Sequence, residues 1–122
     1  MTEKFARDLV RGSVDLMVLS VLAGGPKYGY LIQKQISEAS SNRLPLPAGT
    51  LYPLLHRLEA DKLIRARWDD STGRQRKWYE LTAAGRRRLG EQARDWGLFT
   101  ECVNRLLSPF VDSGAQPVEG LS

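Results

Sequence analysis

The chain has 122 residues, 42% hydrophobic and 26% charged, enough for one small domain and too little for a separate sensing domain beside it. The formal net charge is +4, and the single cysteine, Cys102, excludes an internal disulfide framework. The first residues lack the apolar core of a signal peptide and no apolar run approaches the roughly 20 residues that span a bilayer, so a cytoplasmic protein away from the membrane is expected. The elements then follow in order. Ser13 is a candidate N-cap for a helix that is apolar nearly all round, from Val14 through Ala23, and Gly24-Gly25-Pro26 stops it. A second helix is expected from Tyr28 to about Ser40, with Leu31 or Ile32, Ile36 and Ala39 inward and Gln33, Lys34, Gln35 and Glu38 toward solvent. Residues 42–47, with two prolines, break the chain before a third helix that begins near Ala48 to Thr50 and ends around Asp61.

That third helix is the most informative segment. Leu51, Leu54, Leu55 and Leu58 fall at the i, i+3, i+4, i+7 spacing of a buried stripe, which turns Thr50, Tyr52, Pro53, His56 and Arg57 outward. Donors and flat rings side by side on an exposed face suit contacts with phosphates and base edges. After Asp61 the period changes to alternation. Ile64, Ala66 and Trp68 share one face of a strand, Asp70-Ser71-Thr72-Gly73 forms a turn, and Lys77, Tyr79 and Leu81 share one face of the returning strand. Thr82 caps a long last helix, which Pro109 is expected to end. In that helix Leu89, Ala93, Trp96, Thr100, Val103 and Leu107 follow alternating steps of four and three, a coiled-coil-like seam that Phe99 and Leu106 widen. Pairing with a second copy is the simplest way to bury it. The expected organisation is residues 1–82 as a winged helix-turn-helix unit with a two-stranded wing, 83–110 as a dimerisation helix and 111–122 as a flexible tail, mainly α in an α+β class.

Charge is placed unevenly along this order. From Asp61 to Gly90, nine basic residues face four acidic ones, whereas from Glu91 onward two basic residues face five acidic ones. A basic middle followed by an acidic end points to a polyanion met by one part of the chain only. No nucleophile with a base, no recognisable carboxylate pair and no glycine-rich phosphate loop supports an enzyme, and His56 has no neighbouring ligands for a metal. Neither cofactor nor metal is expected. The competing use of such a fold is a winged helix that contacts proteins instead of DNA.

Three segments in order, Leu19-Ser-Val-Leu-Ala-Gly-Gly-Pro-Lys-Tyr-Gly-Tyr-Leu-Ile, Pro47-Ala-Gly-Thr-Leu-Tyr-Pro-Leu-Leu-His-Arg-Leu-Glu and Gly73-Arg-Gln-Arg-Lys-Trp-Tyr-Glu-Leu-Thr-Ala-Ala-Gly, resemble the PadR family of transcriptional regulators. The short C-terminus is similar to the family's LmrR-like subgroup, which has a single dimerisation helix. The resemblance implies a homodimeric repressor that binds a palindromic double-stranded DNA operator, its half-sites about 10 base pairs apart. It places Thr50, Tyr52, His56 and Arg57 of the third helix, Lys34 of the second and Arg74, Arg76 and Lys77 of the hairpin at DNA. It also offers a second role for Trp96, with Phe99, Thr100 and Leu16, as the site of a small planar hydrophobic effector; the plainer role is packing in the dimer seam. Lys62 stands where the family usually has glycine, so that turn must avoid a left-handed conformation or tolerate some strain.

Overall fold

The computed structural model describes residues 13–71 and 73–115, with side chains as far as Val111. The chain divides into two compact units, residues 1–90 and 91–122. The first opens with α1, Val14–Ala23, whose Val18, Leu19 and Leu22 are buried at the centre of the core. A short strand, β1, Lys27–Tyr28, leads into α2, Gly29–Ala39, and a loop then enters α3, Ala48–Ala60. The hairpin strands are β2, Ile64–Asp69, and β3, Arg76–Leu81, and the last helix, α4, runs over Ala83–Ala115.

The α3 stripe behaves as its spacing demands. Leu51, Leu54, Leu55 and Leu58 are buried against Ile32 and Ile36 of α2 and the buried residues of α1, while Thr50, Tyr52, Pro53, His56 and Arg57 are exposed. Replacing any one of these leucines by alanine removes about 2–5 kcal/mol, since a cavity replaces a packed side chain. The loop before α3 contributes to the same core. Leu44 and Leu46 are buried, and Gln33, expected toward solvent, is half-buried and donates from Nε2 to the Leu46 carbonyl at 2.7 Å. Ala39, expected inward, is exposed, because the last turn of α2 runs past the core.

The two-stranded wing is joined by β1 in a three-stranded sheet. β1 pairs with β3 and β3 with β2, all antiparallel, in the order β1-β3-β2. Two residues are too few to show a period, which is why β1 left no mark in the sequence. Its Lys27 is buried, and Nζ donates to the carbonyls of Val21 and Gly25, each at 3.2 Å, satisfying acceptors at the C-terminal end of α1.

The end of α3 explains Lys62. Its amide donates to the Glu59 carbonyl at 2.9 Å and that of Leu63 to the Leu58 carbonyl at 3.0 Å, the paired bonds of a Schellman ending. Leu58 and Leu63 are both buried, and the price of the turn is a left-handed lysine with φ 63°. Strain is tolerated rather than avoided. The next helix starts from the same place: the Thr82 amide donates to the Leu63 carbonyl at 3.1 Å, and Thr82 Oγ1 lies 2.8 and 3.1 Å from the carbonyls of Lys62 and Leu63. Oγ1 also accepts from the Gly85 amide at 3.0 Å, the expected N-cap bond. Gly85 has no alternative, because a Cβ there would meet the Leu63 carbonyl oxygen at 2.0 Å.

Two expectations for α4 are corrected. The helix passes through Pro109 and continues to Ala115, so residues 111–115 are helical and not tail. Proline removes one amide donor, a loss that water can offset at an exposed position. Residues 116–122 lie outside the described residues. No helix among the described residues is long and apolar enough to cross a membrane.

Candidate nucleic-acid interface

The exposed face of α3 does not stand alone. Tyr52 rises from it toward the first turn of α2, where a Cβ on Gly29 would come within 2.1 Å of Oη. Gly29 is therefore the residue that lets the ring lie down, and Tyr52 remains 37% exposed. Below it Tyr79 is buried; burial pushes its phenol above the ordinary value, with smaller contributions from Tyr52 and Glu59. His56 lies one helical turn along from Tyr52 and is exposed.

Tyr28, Tyr30, Tyr52 and His56 border one open concavity of about 460 Å³ with Trp68, Arg76 and Lys77 from the wing. The cations rest on rings: the Arg76 guanidinium lies 4.5 Å from the Tyr28 ring centre, and Lys77 Nζ lies 5.8 and 5.7 Å from those of Trp68 and Tyr79. Tyr28 in turn meets Trp78 edge-on at 5.0 Å. Among the described residues, no carboxylate borders this concavity. Arg74 is exposed on the hairpin turn, where Gly73 takes φ 81° and the Asp69 carboxylate accepts the Ser71 amide at 3.0 Å. That bond holds the Asp69 carboxyl below its ordinary range. Lys34 is exposed on α2, and Thr50 on the first turn of α3.

Arg57 is committed elsewhere. Its Nη2 donates to both carboxylate oxygens of Asp15 on α1, at 2.8 and 2.6 Å, and this pairing raises the guanidinium above its usual value. The sequence reading missed this partner, since 42 residues separate the two and no local pattern links them. It also missed Tyr30 and Trp68, each 61% exposed; large exposed rings flanking a basic hairpin were the available signal.

The remaining candidates are distributed over the two units. Leu16 borders a separate depression of about 480 Å³ with Met17, Val21, Ile36 and Leu44, and Leu89 is half-buried against the core of the first unit. In the second unit Trp96 is 42% exposed, with its ring centre 6.2 Å from that of Phe99. Thr100 donates from Oγ1 to the Trp96 carbonyl at 2.9 Å. Ala93, Phe99, Leu106 and Leu107 are exposed and Val103 is half-buried. Cys102 is exposed on the same helix, and the described residues contain no group of three or more His, Cys, Asp or Glu that could hold a metal.

Two helices crossing beside a buried third, with a small antiparallel wing against them, define a winged helix-turn-helix protein. The model of the "Transcriptional regulator PadR-like family" matches residues 18–91, and the chain belongs to that family. It is 38% identical over 88 residues to "Transcriptional regulator Rv3488" of Mycobacterium tuberculosis, covering 72% of this chain and 79% of that one. Among solved structures it is similar to a PadR family transcriptional regulator from Eggerthella lenta, at 37% identity and a TM-score of 0.73 over 82% of this chain and 86% of that one. A transcriptional regulator from Clostridium thermocellum aligns at 31% identity and a TM-score of 0.74, over 80% and 96% of the two chains. The chain is thus a winged-helix transcriptional regulator.

Proposed function

We propose that the protein represses transcription as a homodimer that binds a palindromic duplex operator through α3 and the wing. The observation that carries this is the concavity where His56 and Tyr52 of α3 meet the cations Arg76 and Lys77 of the wing. With α3 in the major groove, Thr50, Tyr52 and His56 are presented to bases or phosphates, and the first-turn amides of α3 add a positive end. Arg57 joins them once Asp15 releases it, and Arg74, Arg76, Lys77 and Lys34 supply affinity through phosphates.

The second half of the proposal is the pairing of two copies along α4. Trp96, Phe99, Leu106, Leu107 and Phe110 are between 42% and 76% exposed, an apolar stripe that water penalises and a second copy would cover. An effector role for Trp96 rests on a narrower observation, the Trp96–Phe99 pair of rings left open for a planar hydrophobic molecule to lie against. Titration with planar aromatic compounds tests that role: emission quenching that persists unchanged in Trp96→Leu rules it out.

Selection of bound genomic fragments tests the repressor reading. An inverted repeat is the expected product, and enrichment of no palindrome removes the dimeric model. Binding to random duplex at rising salt separates DNA from a protein partner, because phosphate contacts release counterions and lose affinity steeply while an apolar protein contact does not.

A further inference from the structure

The wing face that seals the core continues past the point where the core stops. Its cross-strand pairs run from Ile64 with Leu81, both buried, through Ala66 with Tyr79, to Trp68 opposite Lys77, where the indole is 61% exposed. A tryptophan on the core-facing side of a strand, beyond the core, is a large apolar surface that the Lys77 ammonium, 5.8 Å from its ring centre, covers only in part. Tyr30, at the start of α2, is equally exposed and borders the same concavity as Tyr52, His56, Arg76 and Lys77. Flat rings and cations thus line one open channel from α3 to the wing.

When a helix fills the major groove and a hairpin reaches the adjacent minor groove, the strand of sugar and phosphate dividing the two grooves has to pass between helix and hairpin. On this protein the space between them is that channel. We propose that it seats one sugar-phosphate strand of a duplex, with Tyr30 and Trp68 against the apolar edges of deoxyribose and Arg76 and Lys77 against phosphates. This rests on the DNA-binding reading above and adds two residues to it. Contacts of this kind fix the register of the protein on the duplex and do not distinguish bases.

The division of labour gives the test. Trp68→Ala removes no charge, so it is expected to weaken binding to every duplex by a common factor of about tenfold while leaving the salt dependence unchanged. Trp68→Phe keeps a flat ring and restores most of the loss. Lys77→Ala instead lowers the slope of log affinity against log salt by about 1. Trp68 becomes the sole tryptophan when Trp78 and Trp96 are replaced by phenylalanine, and its emission should shift on saturation with duplex. Trp68→Ala in the otherwise natural chain needs neither replacement, so a folding defect in the single-tryptophan variant leaves the test standing. The proposal is overturned if Trp68→Ala binds duplex as the parent does, if its loss depends on sequence, or if only a single strand moves the emission. A parent that binds no duplex at all overturns the DNA-binding reading as well, and that outcome is distinct from a parent that binds duplex with an indifferent Trp68.

Discussion

Asp15 competes with any incoming phosphate for the charge on Arg57. With the carboxylate 2.6 Å away, the cation offers the solvent little net field, and a duplex must displace a partner before gaining a contact. Asp15→Asn is therefore expected to raise affinity for random duplex severalfold and to steepen the salt dependence by about one ion. Fluorescence anisotropy at a series of salt concentrations reads both, and an unchanged slope would place Arg57 away from phosphates. Gly29 is the second residue with a sharp consequence. Gly29→Ala puts a methyl group inside the space of the Tyr52 ring, so a loss of about 1–3 kcal/mol is expected in urea denaturation, with duplex affinity falling as Tyr52 is pushed aside. Adding Tyr52→Ala should recover most of the stability and none of the affinity. That combination separates the tyrosine's packing role from its proposed contact with DNA.

Elements were legible where period and burial agree. The four leucines of α3 set its buried face and hence its outward one, and alternation from Ile64 to Leu81 gave the hairpin and its turn. Legibility failed where the decisive partner is distant or the element is brief. β1 holds two residues, and the Asp15–Arg57 and Gln33–Leu46 contacts depend on tertiary approach. Pro109 misled because a local rule assigns proline a cost without knowing how much helix lies on either side of it. Lys62 is the opposite case: the sequence posed the choice between strain and a different turn, and the backbone takes the strain. Lys62→Gly is accordingly expected to stabilise the protein by about 0.5 kcal/mol, the left-handed penalty removed less the added freedom of the unfolded chain. A lower melting temperature in calorimetry would show that the lysine side chain contributes something the turn geometry does not reveal.

At the scale of the whole molecule, the net charge of +4 says less than its distribution, since the basic excess lies between residues 61 and 90. One part of the chain is suited to a polyanion and another carries the apolar stripe of α4. The proposed pairing is expected to fail when that stripe is charged: Leu106→Glu with Phe110→Glu should give a monomer in sedimentation equilibrium. Its winged unit should keep its secondary structure, because both residues are largely exposed in the single chain. Operator affinity should fall with it, as each half-site then binds alone. A dimer that survives both substitutions would mean that pairing uses some other face.

Lys62 and Leu63 serve two helices at once. Their amides close the last turn of α3, and their carbonyls receive the Thr82 cap from which α4 departs. The helix that would read DNA and the helix that would join two copies therefore share a single joint, with Gly85 pressed against it so closely that no slack remains. A tilt of the first turn of α4 would act there as a crank, moving the base of α3 directly instead of diffusing through a deformable core.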